Sequence, residues 1–139
     1  MARRIYKAGV RNKSSFQCEV ALTCMVQPLF FSGEFEDLFL CFDRILKSYE
    51  KQAKAGTEQR VVNAVIDTVV ALAYWPPALL VTGQVELARA RLAQVMQMAE
   101  DSAHPPTLCS VLNILCNEYY PHTGEVEECA SFASQVRKV

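Results

Sequence analysis

One five-residue pattern recurs three times along the chain: Ser32-Gly33-Glu34-Phe35-Glu36, Thr82-Gly83-Gln84-Val85-Glu86 and Thr123-Gly124-Glu125-Val126-Glu127. Each copy follows an apolar run and opens a stretch with apolar residues at helical spacing. Ser or Thr can accept hydrogen bonds from the unpaired N–H groups at a helix start. Gly lets the chain turn where a side chain would clash. Acidic or amide residues in the first turn suit the positive end of the helix dipole. Each copy therefore reads as the joint between two antiparallel helices, with the hydroxyl capping the second. A chain with three such joints is constrained to a set of helical hairpins.

The remaining helices follow from stripes and stop signals. Ser14, with Gln17 three residues on, forms a capping box, and the first helix runs from there to about Phe31 with Phe16, Val20, Leu22, Val26 and Leu29 apolar and a kink at Pro28. The second runs from Glu34 to about Lys54, its face built from Phe35, Leu38, Phe39, Phe42, Ile45, Leu46 and Tyr49, and Gly56 ends it. Thr57 caps a third, which Pro76 and Pro77 interrupt before a short helix to Val81. A fourth stripe, Leu87, Ala88, Leu92, Val95, Met96 and Ala99, runs from Gln84 to about Ser102. His104 is expected at its negative end. Pro106 starts a helix carrying Leu108, Val111, Leu112, Leu115 and Tyr119, which Pro121 stops, and Glu125 to Arg137 forms the last. The expected fold is all-α, six or seven helices in antiparallel hairpins, stacked as a short solenoid over residues 14–139.

Residues 1–13 stand apart as a basic arm: Arg3, Arg4, Lys7, Arg11 and Lys13 with no acid. Five charges without interleaved aromatics make a weak nucleic-acid signal, and a solvated tail or part of an earlier helix explains them as well. Elsewhere the charges balance to a net −1 and half of the 139 residues are apolar, which excludes a disordered or polyanion-binding chain and allows a real core. The N-terminus lacks a signal-peptide core, and the longest apolar run, Val69 to Val81, is shorter than the roughly 20 residues of a membrane span. A cytoplasmic protein is expected, with no membrane contact and no nucleic acid. The six cysteines form no C-x-x-C pair and read as small buried hydrophobes in reduced form. Cys109, Cys116 and His122 fit no standard zinc spacing, so no metal and no cofactor is expected.

Measured from Gly83, the residues Val85, Ala88, Leu92 and Val95 occupy the offsets at which tetratricopeptide repeats carry their signature positions after the mid-repeat glycine. Gly124 gives Val126, Cys129, Ala133 and Val136, and Gly33 gives Phe35, Leu38, Phe42 and Ile45. The chain thus resembles a tetratricopeptide-like helical repeat, although Leu38 replaces a small residue and the units exceed the roughly 34 residues of that family. Ala88, Met96, Met98-Ala99, His104-Pro105 and Thr107-Leu108 also resemble the repeat in the C-terminal regions of large bacterial signalling proteins, which join an adenylate cyclase or winged-helix domain and an ATPase module to a helical tail. Pro76 and Pro77 depart from it, and isolated glycines make no phosphate loop. The resemblance implies the repeat part of such a regulator.

Functionally the sequence points to a non-catalytic protein-protein interaction module. Polar residues recur at three and four on the first helix of each hairpin: Ser15, Glu19, Thr23 and Gln27; Gln59, Asn63 and Asp67; Ser110, Asn113 and Asn117. In a stacked repeat the first helices line the concave side, so Thr23, Gln27, Asn63, Asp67, Asn113 and Asn117 are candidate contacts for a protein or peptide. A homodimer through an exposed end is the other partner this reading allows. No nucleophile, base and orienting group can be assembled from the sequence, so no enzyme is expected. The alternative is an apolar small molecule held between hairpins by Tyr74, Trp75, Phe30 and Phe31.

Overall fold

A computed structural model describes residues 2–55 and 68–136. Among them every regular element is helical and helices pair in antiparallel fashion. The chain divides into two compact units, residues 1–72 and 73–139.

In the first unit α1 (Ala2–Arg11) packs on α2 (Ser15–Ser32), which packs on α3 (Phe35–Ala55). Residues 68–72 are also helical. The basic N-terminal stretch is therefore a helix. The helix ends at Arg11, a turn follows through Lys13, whose backbone is left-handed at φ 53°, and Ser14 then caps α2 by accepting from the Gln17 N–H at 3.3 Å. The Ser14 N–H donates to the Gly9 carbonyl at 2.8 Å, so the cap comes from Ser14 Oγ while its own amide closes α1. Helix α2 continues through Pro28, which faces solvent. Ala21, Leu22, Val26 and Leu29 of α2 meet Leu38, Cys41, Phe42 and Ile45 of α3 in the core. Phe16, expected in that core, is 65% exposed.

The second unit holds α4 (Trp75–Val81), α5 (Val85–Asp101), α6 (Pro105–Glu118), the single turn α7 (Tyr120–Thr123) and α8 (Val126–Val136). Prolines occupy the first turns of α4 and α6, where their missing N–H has no partner to lose. Successive helices pack in turn, and α8 also lies on α6. Trp75, Leu79, Ala88, Val95, Val111, Leu112, Leu115 and Tyr119 are buried. Leu87, read as part of the α5 stripe, is instead exposed, whereas Met98 is buried. Gly56 and the Thr57 cap lie outside the described residues.

All three joint glycines have left-handed backbones, with φ of 76°, 83° and 74° at Gly33, Gly83 and Gly124. The first two joints share one hydrogen-bond pattern. Gly33 N donates to Phe30 O and Glu34 N to Leu29 O; Gly83 N donates to Leu80 O and Gln84 N to Leu79 O. These bonds satisfy the last carbonyls of α2 and α4. The hydroxyls act on the opposite helix from the one expected. Ser32 Oγ donates to Leu29 O, Thr82 Oγ1 to Ala78 O and Leu79 O, and Thr123 Oγ1 to Tyr120 O, at 2.9–3.2 Å. The left-handed turn falls after the hydroxyl, so the hydroxyl still belongs to the ending helix and folds back onto its last turn. Each hydroxyl also meets a group beyond its joint: Ser32 Oγ donates to Glu34 Oε1 at 3.0 Å, Thr82 Oγ1 accepts from Gln84 Nε2 at 3.2 Å, and Thr123 Oγ1 accepts from Glu125 N at 3.3 Å, the one backbone N–H among them.

Candidate functional site

Among the described residues, a cleft in each unit and the exposed apolar residues beside the joints are features able to receive a partner. In the first unit, Arg3, Tyr6 and Lys7 share one face of α1, and Asp37, Leu40, Cys41 and Arg44 share one face of α3, because residues three and four apart align on a helix. Leu22 and Met25 of α2 complete the lining of a cleft of about 360 Å³. Arg3 reaches Asp37 at 3.1 Å and Glu34 at 3.9 Å. Arg44 donates to the Tyr6 hydroxyl at 3.1 Å, with its guanidinium carbon 5.6 Å from the Tyr6 ring centre. Cys41 is buried; burial pushes its thiol up, Arg44 and Arg3 pull it down and Asp37 adds to the rise.

In the second unit a cleft of about 420 Å³ is lined by Arg89, Leu92, Ala93 and Met96 of α5, Tyr120, and Glu128, Ser131 and Phe132 of α8. Tyr120 stacks at a tilt on Phe132, with ring centres 5.5 Å apart. Nearby in sequence, the guanidinium of Arg91 covers the buried Trp75 ring at 4.2 Å and donates to Gln94 at 2.6 Å.

Exposed apolar side chains gather at two of the joints. Phe31, two residues before Gly33, is 61% exposed and meets Phe30 edge-to-face at 5.2 Å; Phe30, Phe35 and Phe39 continue the row. Val81, two residues before Gly83, is 48% exposed, and Val85 and Leu87 after it are each 42% exposed. Phe31 and Val81 thus hold matching positions two residues before their glycines, whereas Phe35, the counterpart of Val85, is half-buried and Asp37 stands where Leu87 does. Sequence reading marked Phe31 but assigned it to a pocket with Tyr74 and Trp75. Phe30 and Phe31 belong to the first unit, and Tyr74 and Trp75 to the second.

The polar strips are only partly open. Glu19 accepts from Ser48 and Gln52 of α3, so it serves the α2–α3 contact. Thr23 is half-buried and its hydroxyl donates to Glu19 O and Val20 O of its own helix, while Gln27 is exposed. Asn113 and Asn117 are both exposed on α6, and the Asn117 amide donates to Asn113 O at 2.8 Å and Asn113 Oδ1 at 3.1 Å. Asn63 and Asp67 lie outside the described residues. Thr23 and Gln27 belong to the first unit, Asn113 and Asn117 to the second.

All six cysteines are free, but they are not uniformly buried as expected: Cys41 is, Cys24 is exposed and the other four are intermediate. Cys116 Sγ lies 3.9 Å from Cys129 O. His104 also departs from expectation. It caps the start of α6, with Nδ1 accepting from Thr107 N at 3.3 Å and lying 3.1 Å from Thr107 Oγ1. No group of His, Cys, Asp and Glu able to hold a metal occurs among the described residues, and none of their helices is long and apolar enough to cross a membrane.

The class these observations define is an all-α protein of antiparallel helix pairs, with left-handed glycines at three of the joints and left-handed Lys13 and Ala103 at two others. Comparison with protein-family models, curated proteins and solved structures found no match.

Proposed function

We propose that the chain is a non-catalytic protein-binding module of tetratricopeptide-like hairpins, the repeat part of a signalling or transcriptional regulator. The observation that carries this reading is the apolar exposure at the joints: Phe31 beside Gly33, and Val81, Val85 and Leu87 beside Gly83. Single exposed apolar residues need no explanation, but grouped ones mark contact surfaces. The exposed amides of Gln27, Asn113 and Asn117 supply hydrogen-bonding groups of the kind a peptide backbone uses.

The test is a cross-linked pull-down with the wild type, a Phe31→Ser/Leu87→Ser variant and an Asn113→Ala/Asn117→Ala variant, with melting temperatures measured alongside. Each substitution lies on the surface and should change stability by less than about 0.5 kcal/mol. Loss of specific partners at unchanged stability supports the module. An unchanged partner set in both variants removes these surfaces from the reading. Sedimentation over a concentration series distinguishes a second copy of the chain from a foreign partner.

The cleft lined by Leu92, Ala93, Met96 and Phe132 favours a second reading, in which the module senses an apolar small molecule. A ligand-dependent rise in melting temperature that Met96→Glu abolishes would support it.

A further inference from the structure

We infer that the cleft between α1 and α3 of the first unit is a docking site for an acidic, apolar segment of a partner protein, in which a carboxylate meets Lys7 and Arg44 while a neighbouring apolar side chain enters the cleft. This rests on the protein-binding reading and names the kind of segment that one surface selects.

The charge distribution sets the ligand's sign. Three cations and one acid line the cleft: Arg3, Lys7 and Arg44 against Asp37. Arg3 and Asp37 neutralise each other, and Glu34 adds to that pair. Among the described residues no carboxylate lies within ion-pair distance of Lys7 or Arg44. Arg44 is also held in position. Its hydrogen bond to the Tyr6 hydroxyl and its place over the Tyr6 ring tie it to α1. A guanidinium already oriented loses less freedom when it binds a carboxylate, and its planar fork suits that group.

The lining sets the rest of the ligand. Leu22, Met25, Leu40 and Cys41 are apolar, and Leu40 is 56% exposed. Leu22 and Cys41 form the buried floor, so a free inorganic anion would leave Leu40 and the half-buried Met25 wet, whereas an acidic residue beside a Leu, Ile, Phe or Met would cover them. A cleft of about 360 Å³ admits side chains and not a folded domain. Nucleic acid is disfavoured because Asp37 and Glu34 stand beside the cations, and a phosphate backbone needs an uninterrupted basic track.

The experiment is a selection from a displayed library of random dodecapeptides on the full chain, repeated on Lys7→Glu/Arg44→Glu and on Leu40→Asp, with melting temperatures recorded for all three. The expected result is enrichment, on the wild type, of Asp or Glu next to a large apolar residue. A synthetic peptide of that sequence should bind the charge-reversed variant about tenfold or more weakly, and its affinity should fall with salt. Changing its acid to Lys should restore binding to the charge-reversed variant, an outcome that loss of folding cannot produce. Leu40→Asp, at an exposed position, should reject the acidic peptide with α1 and α3 unaltered. Peptides that bind all three proteins equally, or that carry no acidic enrichment, overturn the cleft and leave the protein-binding reading standing. Recovery of no peptide at all also overturns the cleft, as does binding of free acetate or phosphate as tight as the peptide's; the pull-down decides the protein-binding reading separately.

Discussion

Gly9 of α1 lies so close to Cys18 of α2 that a Cβ at Gly9 would stand 2.9 Å from Cys18 Sγ and 3.0 Å from the Cys18 backbone nitrogen. Gln17 Cβ would be equally near, at 3.0 Å. The first two helices therefore cross at a point where only hydrogen fits. Gly9→Ala should force them apart and destabilise the first unit by about 1–3 kcal/mol, as overpacking does. Adding Cys18→Ala should recover only part of the loss, because the backbone nitrogen remains. Denaturant unfolding measures both, and a neutral Gly9→Ala would show that the helices do not cross so closely.

The joint glycines present the converse case. Around Gly33, Gly83 and Gly124 an added Cβ would meet nothing within 4 Å, so a substitution there costs only backbone strain. Gly83→Ala should lower stability by about 1–2 kcal/mol, the left-handed penalty for an L-residue. Gly83→Asn, although larger, should cost less, since Asn tolerates this conformation. Ala103, with φ 49° after α5, already bears the strain, and Ala103→Gly should stabilise the chain by about 1 kcal/mol. Thermal unfolding of the three variants decides it; an order set by side-chain size would mean that packing controls the joints.

The joints were legible because few residues besides glycine turn a chain left-handed, and that requirement shows in a single position. The hydroxyl's role was not, because Ser and Thr both donate and accept and so can close one helix or open the next. Phe16 and Leu87 fell on apolar stripes, yet the width of a stripe is set by how many helices pack against it, which spacing does not encode. The α1–α3 cleft depends on Arg3, Lys7 and Arg44, brought together only when α1 folds onto α2 and α3 returns beside it. Nothing local announces that meeting.

The thiols should react in an order set by exposure. Cys24 is exposed, and iodoacetamide should modify it first. Cys41 is buried with its thiol pushed up, and Cys116 is pushed up to about 11 by burial and by hydrogen bonding and charge interaction with Cys129. Both should be among the last to react in the folded protein. Peptide mass spectrometry over a time course reads the sequence of events, and Cys24→Ser should abolish the fastest phase. Early labelling of Cys41 would contradict its place in the α2–α3 core.

Stability should fall in alkaline solution. Cys41 and Cys116 are raised from 9.0, and Tyr74, Tyr119 and Tyr120 from 10.0, chiefly by burial; Glu128 adds to the rise at Tyr120. The unfolded chain gives up these protons first, so above pH 9.0 it binds fewer protons than the folded chain and the unfolding free energy declines. The contribution is whole below the unfolded values and is lost as pH rises through the folded ones, for Cys116 between 9.0 and about 11. Melting temperatures from pH 8 upward should decline, and Tyr120→Phe should flatten the part of that decline that begins near pH 10.0. A slope indifferent to Tyr120→Phe would remove the phenol from the account.

His104 should matter to stability through one nitrogen. Its Nδ1 accepts the Thr107 N–H at 3.3 Å and lies 3.1 Å from the Thr107 hydroxyl, on a residue with no exposed surface. His104→Ala removes the cap of α6 and should cost about 0.5–2 kcal/mol. Part of that cost is the buried Thr107 hydroxyl left without His104, because an unsatisfied polar group is penalised once its partner is gone. Thr107→Val should therefore be less damaging in the His104→Ala background than in the wild type, and a double-mutant cycle isolates the difference. His104→Asp keeps an acceptor and sets a negative charge at the positive end of the helix, so it should equal or exceed the wild type. If His104→Ala and His104→Asp melt together, the imidazole caps nothing, and the start of α6 is held by Pro105, Pro106 and the packing of Val111 and Leu112.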